Sequence, residues 1–215
     1  MATRSVIVLA ALVITVGAAA TAHSGSDRTP PVTVDSSMTR VRALKGSPAP
    51  RSRLAELELV TVMYLGFDGR RHRGQIVVRR DLAREVAAIF RDLERLRFPI
   101  ARVVPVSRYG WSDAASMAAN NTSGFNYRRK PGQRGLSLHA FGSAVDINPK
   151  QNPYVLGRRS LPPGARHRPG VRGTIVDGPI VRAFTRRGWR WGGHFRGHKD
   201  WQHFDKPVRR ATPRA

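Results

Sequence analysis

The chain has 215 residues, of which 40% are hydrophobic, a length and apolar fraction that allow one domain with a proper core and exclude disorder throughout. It has no cysteine, which excludes a disulfide framework and any thiolate metal site. The formal net charge of +24 indicates a surface that attracts polyanions, such as nucleic acid, anionic lipid or the acidic polymers of a bacterial wall, or a basic surface that only aids solubility.

Residues 1–22 have the pattern of a secretory signal peptide. Arg4 precedes an uncharged apolar run from about Val6 to Ala20, and the small residues end at Ala22. The run is short for a membrane-spanning helix, so cleavage is favoured over a retained anchor. We therefore expect a secreted or cell-wall-associated protein.

One domain is predicted over residues 54–207. Residues 23–53 contain four prolines among Ser, Thr and Arg without a sustained apolar period, which is typical of a flexible linker. Residues 208–215 are basic and are predicted to form a frayed tail.

The first elements of the predicted domain are a hairpin and a helix. Two β-rich runs, near residues 59–65 and 75–78, flank a stretch with two glycines and an aspartate, which favours a hairpin. The next segment repeats its apolar residues at helical spacing, with Asp81 placed to cap the helix and Pro99 just past its end.

The rest of the domain is predicted as shorter elements. In chain order they are a strand over 100–108, a short helix over 113–121, β structure on both sides of Gly142, a surface loop over 150–174, and a helix from about Asp177 to Gly188.

The segment "SLHAFGSAVDINP" carries two candidate metal ligands, His139 and Asp146, which would face each other across the predicted turn. Two imidazoles and one carboxylate form a common zinc site when the fourth position is left for water. The candidates for the third ligand are His194, His198 and His203. Only His203 has a carboxylate three residues earlier, Asp200, which could take a proton from water on the zinc ion.

The motifs Ser-x-His-x-x-Gly-x-Ala-x-Asp, Trp-Gly-Gly and Asp-Trp-x-His occur in this order in one chain. The sequence resembles the VanY-like zinc D-alanyl-D-alanine carboxypeptidases, a family that includes L-alanyl-D-glutamate endopeptidases of bacteria and phages. The resemblance runs from about Leu59 to Asp205 and is strongest at "NNTSGFNYR", "SLHAFGSAVDINPKQNPY" and "GWRWGGHFRGHKDWQHFD". It implies an α+β fold in which a small antiparallel sheet with flanking helices holds one zinc ion.

The resemblance also implies roles for individual residues. Asp200 matches the catalytic base, and Ser137 matches a serine that contacts substrate. Arg128, at the end of "FNYR", resembles the arginine that polarises the scissile carbonyl or stabilises the oxyanion, although Arg129 and Lys130 are alternatives on sequence alone. The implied zinc ligands are His139, Asp146 and His203.

Together these features favour an exported zinc metallopeptidase that hydrolyses peptide stems of peptidoglycan, held on anionic wall polymers by its positive surface. The "FNYR" and "DINPKQNPY" stretches favour a D-Ala-D-Ala carboxypeptidase, whereas an aspartate at Asp200, where other members have glutamate, favours an L-alanyl-D-glutamate endopeptidase. A catalytically silent wall-binding module and a secreted polyanion-binding protein are further alternatives. A wall-binding module would not need a catalytic base such as Asp200, which counts against the first of these. The chain has no recognised nucleic-acid motif, which counts against the second. A monomer is expected.

Overall fold

The computed structural model describes residues 31–207, and the predicted signal peptide, the first part of the predicted linker and the whole of the predicted tail lie outside them. The described chain begins with a short strand and two short helices. They are β1 (Thr33–Val34), α1 (Arg40–Leu44) and α2 (Arg51–Ala55).

This first segment differs from the flexible linker predicted for residues 23–53. Ala43 and Leu44 are buried in a small cluster with Leu57 and Phe125. Pro50 is the N-cap residue of α2, immediately before the first helical residue, so this proline marks the start of a helix. Met38, Ala49 and Leu54 pack against this cluster, and these scattered apolar residues anchor the segment without producing a period in the sequence.

The predicted hairpin is confirmed and is longer than expected. Strands β2 (Leu57–Leu65) and β3 (Arg71–Arg79) pair in antiparallel register from Leu57 opposite Arg79 to Leu65 opposite Arg71. Strand β1 adds to the other side of β3 in parallel orientation.

The predicted long helix is also confirmed, as α3 (Ala83–Arg95). Its apolar face packs on the hairpin in the main core through Val86, Ile89, Phe90 and Leu93. Its predicted cap is wrong. Asp81 lies within a 3-10 turn that precedes the helix, and its carboxylate accepts from the guanidinium of Arg79 instead.

The strand predicted over 100–108 is wrong, whereas the helix that follows it is confirmed as α4 (Asp113–Ala118). Val103 forms only an isolated bridge with Thr122. The amide of Asn121 occupies the place of a partner strand, because it accepts from Val104 N and donates to Val104 O, each at 3.0 Å. The Asn121 side chain thus makes the hydrogen bonds to the Val104 backbone that a neighbouring strand would otherwise make.

Two more small antiparallel sheets complete the α+β fold that was predicted. The sheet order is β4-β9-β7 in one and β6-β5-β8 in the other. Part of the predicted surface loop over 150–174 therefore forms a hairpin, and the predicted helix near 177–188 is shorter than expected. The elements are β4 (Ala144–Asp146), β5 (Tyr154–Leu156), β6 (Arg159–Leu161), α5 (Pro179–Thr185), β7 (Arg190–Trp191), β8 (Lys199–Asp200) and β9 (His203–Asp205).

The sheet β4-β9-β7 packs one face into the main core. Phe204 of β9 stacks on Phe184 of α5 with ring centroids 3.8 Å apart, and Trp189 and Trp191 are buried beside them. These tryptophans are therefore core residues. Within residues 31–207, no helix combines the length and the apolar character needed to span a membrane.

Candidate metal centre

The opposite face of the sheet β4-β9-β7 gathers polar side chains. Asp146 of β4 lies directly opposite His203 of β9 in the antiparallel register. Asp205 follows His203 by two residues, so both side chains leave the strand on the same face. Arg190 of β7 lies directly opposite Asp205. The register therefore lines up two pairs, Asp146 with His203 and Asp205 with Arg190.

His139 reaches this face from a 3-10 turn, Leu138–Phe141, and not from the strand predicted before Gly142. Ser137 caps the turn, because its Oγ accepts from His139 N at 3.3 Å. Gly142 ends the turn with φ of 63°, and a Cβ there would lie 2.6 Å from the backbone nitrogen of Arg79. Glycine is thus needed both for the conformation and for the close packing of the turn on β3.

The three predicted ligands form one buried cluster. Each offers one ligand atom, and these atoms lie within 4.8 Å of one another. His203 Nδ1 is 2.8 Å from Asp146 Oδ1, and His139 Nε2 is 3.0 Å from Asp146 Oδ2. The two imidazole nitrogens, His139 Nε2 and His203 Nδ1, are 3.2 Å apart. Two imidazoles and a carboxylate converging in this way fit the ligand set of a catalytic zinc site.

A polar group behind each imidazole contacts the nitrogen that faces away from the cluster. His139 Nδ1 lies 2.5 Å from the carbonyl oxygen of Gly124, and His203 Nε2 lies 3.3 Å from Asp205 Oδ2. Sequence analysis missed both of these partners. In the stretch "HFD", Asp205 follows His203 by two residues. This spacing places both side chains on the same face only if the stretch is a strand.

The cluster is strongly polarised in the metal-free protein. Although burial opposes it, the two histidines hold the pKa of Asp146 far below its usual range. Burial alone would lower the pKa of His203, but hydrogen bonds from its ring to Asp146 and Asp205 raise that pKa to about 10. A proton therefore resides on His203 at neutral pH, and an incoming cation must displace it.

Asp200 approaches the cluster from the neighbouring sheet, at the end of β8. A tight turn, Trp201–Gln202, separates it from His203. Its Oδ1 is buried and has no hydrogen-bond partner among residues 31–207, and burial raises the pKa of Asp200 to about 6. A Cβ on Gly192 would lie 2.3 Å from the Asp200 carbonyl oxygen. The Trp-Gly-Gly motif therefore allows β8 to approach this closely.

Of the three candidate basic residues, Arg128 is the one the structure fixes at the site. Its Nε lies 2.8 Å from Asp113 Oδ1 of α4, and its charge contributes to lowering the pKa of Asp200 against the effect of burial. Arg129 instead donates to the carbonyl of Arg134 at 2.6 Å. Lys130 lies at the exposed edge of the same cavity as Arg128. Sequence analysis missed Asp113.

A cavity of about 410 Å³ connects these groups. The cluster, Asp200, Arg128 and Ser137 line it, together with apolar side chains of Tyr154, Leu161 and Phe195. This size is within the range of pockets that bind small ligands, and the lining mixes apolar walls with a few convergent polar groups.

The two alternative histidines lie outside the ligand cluster. His194 is exposed, and its Nε2 lies 2.9 Å from Asp177 Oδ2. His198 lines the cavity, where its ring packs beside Tyr154 with centroids 5.5 Å apart. Neither belongs to the group of ligand atoms that converge.

Residues 131–206 match a family model described as D-alanyl-D-alanine carboxypeptidase. The match confirms the resemblance noted from the motifs and supports a peptidase of this type at the level of the family. It includes the three clustered ligands and Asp200, whereas Arg128 lies just before it. No curated protein and no solved structure matches the chain.

Proposed function

We propose that this chain, whose residues 131–206 match the D-alanyl-D-alanine carboxypeptidase family, is a zinc peptidase that hydrolyses peptide stems of peptidoglycan. The observation that carries the proposal is the meeting of a buried His-Asp-His cluster and a buried carboxylate with a free oxygen in one cavity. A structural metal site would have no use for that second carboxylate. A hydrolase needs it as a base.

The proposed division of labour follows from the contacts. His139, Asp146 and His203 would hold the zinc ion. When bound, the ion supplies a Lewis acid that polarises the peptide carbonyl and makes a nearby water more acidic. Asp200 accepts a proton from the attacking water through its free Oδ1 and passes it to the leaving amine.

Arg128 has a separate task in this scheme. The carbonyl oxygen of the scissile peptide becomes negative as water adds to it, and a fixed guanidinium in the cavity stabilises that charge. The ion pair with Asp113 holds Arg128 in place before substrate arrives. An arginine that is already oriented does not have to be ordered during the reaction.

We expect Arg128→Ala to lower kcat/KM by the equivalent of about 2 to 4 kcal/mol while metal content stays the same, because the variant loses a donor to the developing oxyanion. Arg129→Ala is the matched control, since its side chain donates to the Arg134 carbonyl. Steady-state kinetics and metal analysis on the same samples measure both effects. A loss confined to Arg129→Ala would transfer the role to that residue.

We propose carboxypeptidase rather than endopeptidase activity. A carboxypeptidase must accommodate a free terminal carboxylate, and the cavity is lined by Lys130 and Arg196, neither of which forms an ion pair within residues 31–207. The description of the matching family supports the same choice. The specific observation in favour of an L-alanyl-D-glutamate endopeptidase is that the proposed base, Asp200, is an aspartate.

Incubation with a muropeptide that carries a pentapeptide stem tests this choice. We expect a product lighter by one alanine, because the terminal D-alanine would be released. Mass spectrometry of the products identifies the bond. Release of a peptide that begins with D-glutamate would establish the endopeptidase alternative instead, and an unchanged stem in the presence of a zinc-loaded protein would contradict the peptidase proposal.

We further propose that the protein is exported and is held on the wall by charge. The pattern of residues 1–22 and the net charge of +24 support this location. A catalytically silent wall-binding module would also use this charge. It would not need the free carboxylate oxygen of Asp200 beside the cluster.

A further inference from the structure

We infer that Asp205 is a positioning residue of the metal centre, which, with Arg190 behind it, fixes the tautomer and orientation of His203 so that Nδ1 faces the ligand cluster. The inference rests on the proposed zinc site and assigns a role to two residues outside the ligand set. Neither residue would touch the ion or the substrate for this purpose. Their action would pass through His203.

The contacts form a chain across the sheet. Asp205 is 3% exposed, and each of its carboxylate oxygens has its own partner. Oδ1 accepts from Arg190 Nε at 2.7 Å, and Oδ2 lies 3.3 Å from His203 Nε2. Because Arg190 and Asp205 are directly opposite in the β7–β9 register, the backbone itself fixes their separation.

The chemistry of these groups determines which nitrogen of His203 faces the cluster. An ionised carboxylate can only accept hydrogen bonds, and the guanidinium of Arg190 favours the ionised form of Asp205. Nε2 of His203 must therefore carry the hydrogen. In the metal-free protein Nδ1 also carries a hydrogen, which it donates to Asp146 Oδ1 at 2.8 Å. When zinc displaces that proton, the hydrogen on Nε2 stays with Asp205 and the lone pair is left on Nδ1.

A carboxylate behind a ligating histidine fixes the ring and raises its basicity, and the loss of such a partner typically lowers metal affinity by about 10-fold to 100-fold. The competing explanation is structural. The ion pair could simply hold the short strand β7 on β9, in which case any change to it would weaken the fold without a specific effect on His203. The two explanations make different predictions for a pair of substitutions.

Asp205→Asn is expected to lower zinc affinity by about 10-fold to 100-fold. The asparagine amide has a single oxygen, and that oxygen would accept the hydrogen bond from Arg190. The amide NH₂ would then face His203 Nε2 and favour the tautomer whose lone pair points away from the cluster. Competition with a chromophoric zinc chelator measures the affinity, and the visible spectrum of the Co²⁺-loaded protein reports the ligand geometry.

The double variant Arg190→Leu/Asp205→Asn separates positioning from packing. Without Arg190, the amide oxygen of the asparagine is free to turn and accept from His203 Nε2. We therefore expect zinc affinity to recover in part, toward the wild-type value, with the Co²⁺ spectrum following it. If the ion pair only stabilises the sheet, the double variant should bind no better than Asp205→Asn, and that result would overturn the inference.

A matched control is available in a second aspartate held by an arginine. Asp81 accepts from Arg79 Nε at 2.5 Å but lies outside the cavity, so Asp81→Asn should leave zinc affinity unchanged. If Asp205→Asn does not fold, Asp205→Ala gives the same test, because it removes the acceptor from His203 without adding a donor. Its expected loss of affinity is about 10-fold.

The outcomes separate this inference from the proposed function. Absence of zinc binding by the wild-type protein would contradict the metal site itself. Wild-type binding with equal affinity in a folded Asp205→Asn or Asp205→Ala variant would overturn only the role of Asp205. Circular dichroism of each metal-free variant establishes that the compared proteins are folded.

Discussion

Asp200→Asn is expected to retain zinc and lose turnover by a factor of about 100 to 10,000, the usual contribution of a general base. The substitution keeps the size of the side chain and removes its ability to accept a proton. Asp200 comes from β8, whereas the clustered ligands come from a 3-10 turn and from β4 and β9, so the ligand set is left intact. Metal content and kcat measured on the same preparation test both parts of the prediction.

The pH profile of the wild-type enzyme provides a second measurement of the same role. Asp200 must be ionised to accept a proton, so activity should rise with pH through the pKa of this group and fall as the pH is lowered through it. Burial raises that pKa to about 6 in the metal-free protein, and a bound cation would draw it down. We therefore expect the acidic limb of the profile at or below about pH 6.

Asp177→Asn is the matched control, because Asp177 is an exposed aspartate that also lies beside a histidine, His194, at 2.9 Å. Its activity should equal that of the wild type. Near-normal turnover in zinc-loaded Asp200→Asn would contradict the assignment of the base, and an unchanged acidic limb in that variant would do the same.

The elements that could be predicted from the sequence are those whose apolar residues repeat with a clear period. The face of α3 that contains Val86, Ile89, Phe90 and Leu93 repeats at helical spacing and becomes part of the core. The hairpin could be predicted because turn residues separate two β-rich runs. In both cases the local pattern and the final packing agree.

The segments that were predicted wrongly lack such a period. The chain near Val104 takes its hydrogen bonds from the side chain of Asn121, and only two apolar residues of the segment before β2, Ala43 and Leu44, are buried. The turn that holds His139 is a 3-10 turn between Ser137 and Gly142. Interactions of this kind depend on partners distant in sequence, which a local pattern does not reveal.

The candidate site shows the same division. The motif could place His139, Asp146, His203 and Asp200 among the candidates, because each sits at a characteristic spacing. It could not identify Asp113 behind Arg128 or Asp205 behind His203, since each of these contacts exists only after α4 or β9 has packed. The first set of residues is a property of the sequence motif, and the second is a property of the fold.

About one zinc ion per chain is expected in the purified protein, and alanine at any one of the three ligands should abolish stoichiometric binding, because two remaining ligands cannot complete the site. Mass spectrometry of the metal content measures this directly. The ligands to be changed are His139, Asp146 and His203.

Thermal unfolding provides an independent readout of the same substitutions. A ligand that binds only the folded state stabilises it by about 4 kcal/mol when its concentration is about 1,000 times the dissociation constant. Added zinc should therefore raise the Tm of the wild-type protein and leave the Tm of each ligand variant almost unchanged.

The dependence of zinc binding on pH and the choice of the third ligand complete this prediction. Because hydrogen bonds to Asp146 and Asp205 raise the pKa of His203 to about 10, zinc must displace a proton from the ring, and affinity should rise about 10-fold per pH unit below that value.

His198→Ala is the control that decides the third ligand, since His198 lines the cavity but stands outside the cluster. It should retain full zinc content and the same pH dependence. Full zinc content in His203→Ala together with its loss in His198→Ala would show that the third ligand is His198, and the register of Asp146 opposite His203 would then have no part in holding the metal.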